Sequence, residues 1–159
     1  MQDFTVLERA RAGASGYAIP GPTTQKPCLI FIDPSAKDMS AHIVAAGEKA
    51  NLIFLSARRD GLQQIAGYLD GRGPLSLIHL LADFALGRLT LGDKVLVVRS
   101  LRDYAVTLAR IGEAVRGCGE IIIGAGGLGD GQGENFRGAF EAHTRAPVRV
   151  WEDRSRRHA

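Results

Sequence analysis

The chain has 159 residues, of which 45% are hydrophobic, and a formal net charge of +3. This length supports one domain with a well-buried core. Much of the basic excess lies in residues 154–158, and only 6% of the residues are aromatic. We therefore expect no nucleic-acid partner. The longest apolar runs have the length of strands and fall far below the roughly 18 residues of a membrane span.

The two ends of the chain differ from the part between them. Residues 1–27 show no sustained periodicity and finish in a stretch rich in glycine and proline, which predicts an extended arm. Residues 28–153 carry the predicted domain, and residues 154–159 form a basic tail. The first residues mix acids with arginines and lack the apolar centre of a signal peptide. We therefore expect a cytoplasmic location, with export by a route that needs no cleaved signal left open.

Short apolar runs alternate with amphipathic stretches along the domain. Continuous apolar runs are typical of strands buried on both faces of a parallel sheet, and apolar residues three or four apart are typical of helices. The predicted strands cover residues 28–32, 51–55, 75–81, 120–123 and 148–151, and the predicted helices cover residues 37–50, 61–69, 101–116 and 134–143. Residues 87–98 alternate in short pieces around Gly92 and Asp93, which predicts a small hairpin.

The order of these elements predicts the fold. Ser35, Asp60 and Ser100 each precede a predicted helix and are residue types that cap helices. Strands that alternate with helices form a parallel sheet covered by helices. The sequence therefore predicts an α/β fold: a three-layer sandwich with a mostly parallel sheet, helices on both faces, and a small β-hairpin inserted after the third strand.

A glycine-rich loop follows the strand at residues 120–123 and contains six glycines between Gly124 and Gly133. Its first part has the G-x-G-x-x-G spacing that brings a backbone close to a pyrophosphate at a helix start. Asp130 and Glu134, however, place negative charge where the phosphates would lie. A nucleotide- or phosphate-binding module that uses residues 124–129 is therefore an alternative function.

Three carboxylates follow predicted strands: Asp33, Asp83 and Asp130. In an open α/β sheet the carboxyl ends of the strands meet at one edge, where ligands bind. Three carboxylates there would suit Mg²⁺, which makes a metal-dependent hydrolase a second alternative. Aspartate also closes turns and caps helices, and on that interpretation we expect no metal and no cofactor.

The remaining candidate side chains have structural interpretations. His79 lies in the middle of a strand, and we expect it to be a core histidine with its hydrogen bonds satisfied. Cys28 and Cys118 belong to no metal-ligand spacing, and we expect small, buried or half-buried hydrophobic side chains. His42, His143 and His158 have no partners in the sequence that would complete a catalytic triad.

Several segments resemble a known family. They are FIDPS at residues 31–35, RDGLQQIAGYL at residues 59–69, LIHLL at residues 77–81, LGRLTLG at residues 86–92 and the frame III-G…GQGENF around the glycine loop. Together they resemble a bacterial domain of unknown function found near the amino termini of very large surface adhesins and calcium-binding repeat proteins. The resemblance covers residues 29–151 and implies a caspase-like (gingipain-like) α/β fold.

The resemblance also implies where a peptidase dyad would lie. In the family pattern a histidine follows the third strand and a cysteine follows the fourth, and a histidine activates a cysteine by producing its thiolate. In this chain the histidine position carries Asp83, followed by Phe84, and the cysteine position carries Ala125, preceded by Gly124. Neither Asp83 nor Ala125 can perform those roles, so we expect no peptidase activity.

These observations predict a catalytically inactive domain that binds or scaffolds another protein, in a bacterial secretion or cell-surface assembly. Phe84 would be an exposed apolar anchor for that protein, provided that its side chain does not fold inward. The predicted binding residues lie at the carboxyl edge of the sheet and are Phe84, Leu86, Gly124, Gly126, Gly127, Leu128 and Asp130.

Overall fold

The computed structural model describes residues 27–36, 50–117, 119–124 and 131–151. Its strands are β1 (Cys28–Ile32), β2 (Ala50–Phe54), β3 (Leu77–Leu81), β4 (Phe84–Ala85), β5 (Arg88–Leu91), β6 (Lys94–Leu96), β7 (Glu120–Ile123) and β8 (Val148–Val150). Its helices are α1 (Gly61–Leu69), α2 (Val98–Leu101), α3 (Ala105–Glu113) and α4 (Gly131–Thr144), and a 3₁₀ turn (Arg102–Tyr104) joins α2 to α3. No helix in these ranges is long and apolar enough to cross a membrane.

The main sheet has five parallel strands in the order β2-β1-β3-β7-β8. Alternate residues of these strands point to opposite faces, because the side-chain period of a strand is two residues. One face packs in the main core with apolar side chains of α1, α3 and α4, among them Ile65, Leu108 and Phe140. The predicted α/β fold with a mostly parallel sheet is thereby confirmed.

The opposite face of the sheet carries a second, smaller apolar cluster. Ile30, Ile32 and Leu81 are buried there, and Leu52 packs against them. The helix predicted over residues 37–50 lies outside the described residues except for Ala50. That residue belongs to β2, so the predicted helix boundary was wrong at this position.

Two other predicted helices have different starting points in the structure. The helix predicted over residues 101–116 begins at Val98, is interrupted by the 3₁₀ turn and ends at Glu113. Ser100 therefore lies inside the first turn of α2, where its hydroxyl accepts a hydrogen bond from the N–H of Val97 at 2.9 Å. Helix α4 begins at Gly131 rather than residue 134. Burial of Phe136 and Phe140 along α4 compensates for the low helix propensity of glycine, since tertiary packing supplies most helical stability in proteins.

A small antiparallel sheet of three strands, in the order β4-β5-β6, follows β3. It is the insertion that the sequence predicts after the third strand, with one strand more than a hairpin. Leu89, Leu91 and Leu96 are buried and join the main core. The two turns of this sheet lie at opposite ends of β5, one at Leu86 and Gly87 and the other at Gly92 and Asp93.

Candidate functional site

The carboxyl ends of β1, β3 and β7 lie side by side. The N–H of Asp33, after β1, donates to the carbonyl of Leu81 at 2.9 Å, and the N–H of Gly124, after β7, donates to the carbonyl of Leu80 at 2.9 Å. Asp83 and Phe84 follow β3 at the same edge. The remaining predicted site residues, Ala125, Gly126, Gly127, Leu128 and Asp130, lie outside the described residues.

Asp33 is a buried residue, only 1% exposed. Its carboxylate accepts two backbone hydrogen bonds, one from the N–H of Ser35 at 2.9 Å and one from the N–H of Gly92 at 2.5 Å. The side chain thus ties the end of β1 to the turn between β5 and β6. This is the turn-closing role that the sequence offered as the alternative to metal binding.

The three predicted carboxylates do not form a described metal site. Asp83 is exposed, whereas the oxygens of Asp33 face backbone donors. Among the residues that the structure describes, no group of three or more His, Cys, Asp or Glu side chains could hold a metal ion. Asp130, the third predicted ligand, lies outside them.

Ser35 links the loop after β1, which also contains Asp33, to two further positions. Its hydroxyl accepts a hydrogen bond from the N–H of Asp83 at 3.1 Å and donates one to the carbonyl of Thr90 at 3.4 Å. Sequence reasoning assigned this hydroxyl to a helix cap and missed its role at the sheet edge. We refer to Asp33, Ser35, Asp83, Thr90 and Gly92 as the polar clip.

The loop before α1 also approaches the turn between β5 and β6. Asp60 caps α1, since its carboxylate accepts the N–H of Gln63 at 3.2 Å, and it also accepts the hydroxyl of Tyr104 at 2.7 Å. Burial, together with the hydrogen bond to Asp60, raises the pKa of Tyr104 to about 12. The helix cap predicted at Asp60 is therefore confirmed, and it also anchors the 3₁₀ turn.

Gly92 lies where these loops meet. Its φ is +63°, and a β-carbon at this position would overlap the backbone carbonyl of Arg59. The N–H of Asp93 donates to that carbonyl at 2.8 Å. Glycine is required here because it alone combines a left-handed φ with so close a backbone approach. The segments FIDPS, RDGLQQI and LGRLTLG therefore converge on one structural junction.

Phe84 folds inward and is only 6% exposed. Its ring lies 5.2 Å from that of the fully buried Phe136 on α4. A β-carbon on Gly124, whose φ is +94°, would lie 3.2 Å from the β-carbon of Phe84. The exposed anchor predicted at Phe84 is therefore absent from the surface. The space between the sheet edge and α4 accommodates the ring, and its burial removes apolar area from water.

His79 fixes the first residue of the glycine loop. The side chain is 3% exposed, and its Nε2 lies 3.2 Å from the carbonyl oxygen of Gly124. Its ring stacks on Trp151 with the centroids 5.5 Å apart. The prediction of a core histidine with satisfied hydrogen bonding is confirmed. Because Gly124 directly follows β7, this contact ties the start of the glycine loop to a side chain of β3.

Cys28 is half-buried, as predicted, and its Sγ lies 3.2 Å from the hydroxyl oxygen of Ser76. Cys118, His42 and His158 lie outside the described residues. His143 is half-buried in the last turn of α4. These positions add no described chemistry to the sheet edge.

Among the predicted binding residues that the structure describes, Leu86 is the one that lies on the surface. Its side chain is 70% exposed and its φ is +53°. It borders an open groove of about 510 Å³ between the turn of β4 and β5 and the start of α2. We call this the hairpin groove. It is lined by Leu86, Gly87, Arg88, Val97, Val98, Arg99 and Asn135.

The hairpin groove combines apolar and cationic groups. Val98 is 45% exposed beside Leu86. Arg88 and Arg99 are exposed, and neither forms an ion pair with a residue in the described ranges. Sequence reasoning found Leu86 but missed the arginines, because their proximity arises only when the strands of the small sheet pair and α2 begins at Val98.

The fold and the sheet edge define an α/β domain with a parallel main sheet and a small antiparallel sheet at its carboxyl edge. A family model described as Domain of unknown function (DUF4347) matches residues 29–155, and the chain belongs to this family. The match includes both the polar clip and the hairpin groove. No curated protein and no solved structure matches the chain significantly.

Proposed function

We propose that this domain is a catalytically inactive, caspase-like module that binds or scaffolds another protein in a bacterial secretion or cell-surface assembly. The observation that carries the proposal is Leu86, which is 70% exposed at a φ of +53°. A large apolar side chain in water and a left-handed backbone are both unfavourable for leucine. An observed backbone outlier at an exposed position supports a hypothesis of function.

The turn that carries Leu86 would accommodate a more favourable residue. Two-residue hairpin turns with positive φ at both central positions favour Asn-Gly, and here Leu86 and Gly87 have φ values of 53° and 70°. The leucine adds exposed area at the rim of the hairpin groove, beside Val98. Contact with a protein partner would cover both side chains and provide a reason for the leucine.

The proposed lack of catalysis rests on two replaced side chains. Asp83 and Ala125 occupy the positions at which the resemblance implies a histidine and a cysteine. A carboxylate does not generate a thiolate, and alanine offers no nucleophile. The backbone N–H of Asp83 is bonded to Ser35 within the polar clip, which is consistent with a structural use of this turn.

Binding is tested with the Leu86→Asn variant against a matched control, Val106→Asn. Val106 is 71% exposed on α3, so both variants remove the same kind of exposed apolar surface. We expect a protein that co-purifies with the wild-type chain to be lost with Leu86→Asn and kept with Val106→Asn. Retention by Leu86→Asn would place the binding surface elsewhere.

The lack of catalysis is tested with peptide libraries and thiol-reactive probes on the purified chain. We expect no cleavage and no probe attachment that depends on an activated thiolate. Cleavage that is abolished by alkylation would overturn the proposal of an inactive domain, and it would leave the binding result at Leu86 unaffected.

A further inference from the structure

The partner's chemistry follows from the charges around the hairpin groove. Arg88 lies at the start of β5 and Arg99 in the first turn of α2, and both side chains line the groove. Both are exposed, and neither has an ionic partner among the residues that the structure describes. Within the described part of the chain, the groove therefore presents two positive charges without ion-pair partners, next to the apolar side chains of Leu86 and Val98.

The acidic residue next to the groove-lining Asn135 does not neutralise these charges. Glu134 accepts hydrogen bonds from Arg137, with a shortest distance of 2.7 Å, and the same hydrogen bonds lower the pKa of its carboxyl. Arg137 also contacts Glu141 at 3.1 Å. On α4, Arg137 thus pairs with both carboxylates, whereas Arg88 and Arg99 form no ion pair with any residue that the structure describes.

We propose that the hairpin groove binds a protein segment in which aliphatic side chains are flanked by carboxylates. The aliphatic side chains would contact Leu86 and Val98, and the carboxylates would pair with Arg88 and Arg99. Arginine suits this role because its planar guanidinium can bind a carboxylate through two parallel hydrogen bonds. This inference rests on the proposed protein-binding function and specifies the partner's chemistry at the same surface.

The test uses fluorescence polarisation with a labelled synthetic peptide that carries a Leu-Leu pair with Glu on each side. Two matched peptides replace both Glu residues by Gln or by Lys. We expect the Glu peptide to bind the full chain, the Gln peptide to bind more weakly and the Lys peptide not to bind. Affinity for the Glu peptide should fall as salt is raised, because exposed charge pairs are screened.

Variants of the chain locate the binding. We expect Arg88→Gln and Arg99→Gln each to weaken binding of the Glu peptide by about two- to fivefold, the range for exposed ion pairs. Arg110→Gln is the control, since Arg110 is exposed on α3 and also lacks an ion pair within the described ranges. It removes one positive charge that does not line the groove and should leave the affinity unchanged.

Several results would overturn this inference. Equal binding of the Glu and Gln peptides would exclude charge recognition, and an equal loss with Arg110→Gln would show attraction to net charge alone. Competition by a single-stranded oligonucleotide as strong as that by free Glu peptide would indicate a general anion site. Concentration-dependent self-association that Leu86→Asn abolishes would identify a second copy of the chain as the occupant.

The peptide result is separable from the proposed function. If no peptide binds, the carboxylate-flanked segment is wrong, while a co-purified protein that Leu86→Asn releases still supports protein binding. If that protein is retained by Leu86→Asn but the Glu peptide binds through Arg88 and Arg99, the groove recognises acidic segments and the proposed docking through Leu86 is wrong.

Discussion

The first residue of each turn of the small sheet has a left-handed φ, and the two turns use this conformation differently. At one end of β5, Gly92 has a φ of +63° and lies against the carbonyl of Arg59, inside the polar clip. At the other end, Leu86 has a φ of +53° and is 70% exposed. Glycine occupies the left-handed position where the backbone is crowded, and leucine occupies the one that is open. The turn at Gly92 serves the fold, and we propose that the turn at Leu86 serves a partner.

The largest loss of stability is expected when the Asp33 carboxylate of the polar clip is removed. Asp33→Ala should lower the free energy of unfolding by about 3 kcal/mol, because it leaves two backbone N–H groups without the charged acceptor that now receives them. Urea denaturation measures this loss. The control is Asp83→Ala at the exposed aspartate after β3, for which we expect a change within about 0.5 kcal/mol.

The comparison of Asp33→Ala with Asp83→Ala also tests which of the two side chains stabilises the polar clip. If Asp83→Ala destabilised the protein as much as Asp33→Ala, the polar clip would depend on the side chain of Asp83 as well as on its backbone N–H. The assignment of Asp33 as the central acceptor of the clip would then be wrong.

Gly92→Ala is expected to have the second-largest effect. A β-carbon would overlap the carbonyl of Arg59, so we expect a loss of about 2 kcal/mol from strain at positive φ and displaced backbone. Gly71 provides the matched control, since its φ is +73° but no atom lies within 4 Å of the added β-carbon. Gly71→Ala should cost about 1 kcal/mol, the backbone contribution alone. Thermal unfolding of both variants gives the comparison, and equal losses would show that the close approach does not matter.

Tyr104 tests the support that the polar clip receives from the neighbouring loop. Tyr104→Phe should lower the free energy of unfolding by about 1 kcal/mol at neutral pH, because the hydrogen bond to Asp60 is lost. The pKa of the hydroxyl is raised from 10.0 to about 12 in the folded protein. Its contribution is therefore fully present below pH 10 and is lost as the pH rises towards 12.

The measurement is the difference in unfolding free energy between wild type and Tyr104→Phe as a function of pH. We expect a constant difference below pH 10 that shrinks above it. A difference that stays constant up to pH 12 would contradict a hydroxyl held protonated by burial and by Asp60. An ultraviolet titration of both proteins then follows the formation of tyrosinate. It shows whether the absorbance step that Tyr104→Phe lacks lies near pH 12 in the wild type.

The sequence was sufficient to predict the main sheet, because buried strands read as continuous apolar runs. The residues of β1, β7 and α1 were predicted with the bounds that the structure shows. The helix start at Gly131 was missed, because glycine propensity is a local property while burial of Phe136 is a tertiary one. The sequence left open whether Phe84 would fold inward, for the same reason.

The site was less predictable than the fold. Asp33 and Asp83 look alike in the sequence, each lying just past a strand, and only the structure distinguishes the buried one from the exposed one. Arg88 and Arg99 are separated in the chain by a strand pair and a turn. The hairpin of β5 and β6 brings their neighbourhoods together. The alternation over residues 87–98 predicts that hairpin, but it does not show that both arginines line one groove with Leu86 and Val98.

The smallest stability effect is expected at the open turn, and its sign is opposite to the others. Leu86→Asn should raise the free energy of unfolding by about 0.5 to 1 kcal/mol, because Asn tolerates the left-handed region and Asn-Gly favours this type of turn. Val106→Asn should change stability little, since Val and Asn have similar helix propensities. Urea denaturation of both variants measures the difference. A gain in stability together with a loss of partner binding would mean that the leucine is kept at a cost to the fold. A loss of stability with Leu86→Asn would instead show that Leu86 serves the fold as Gly92 does, and the contrast between the two turns would disappear.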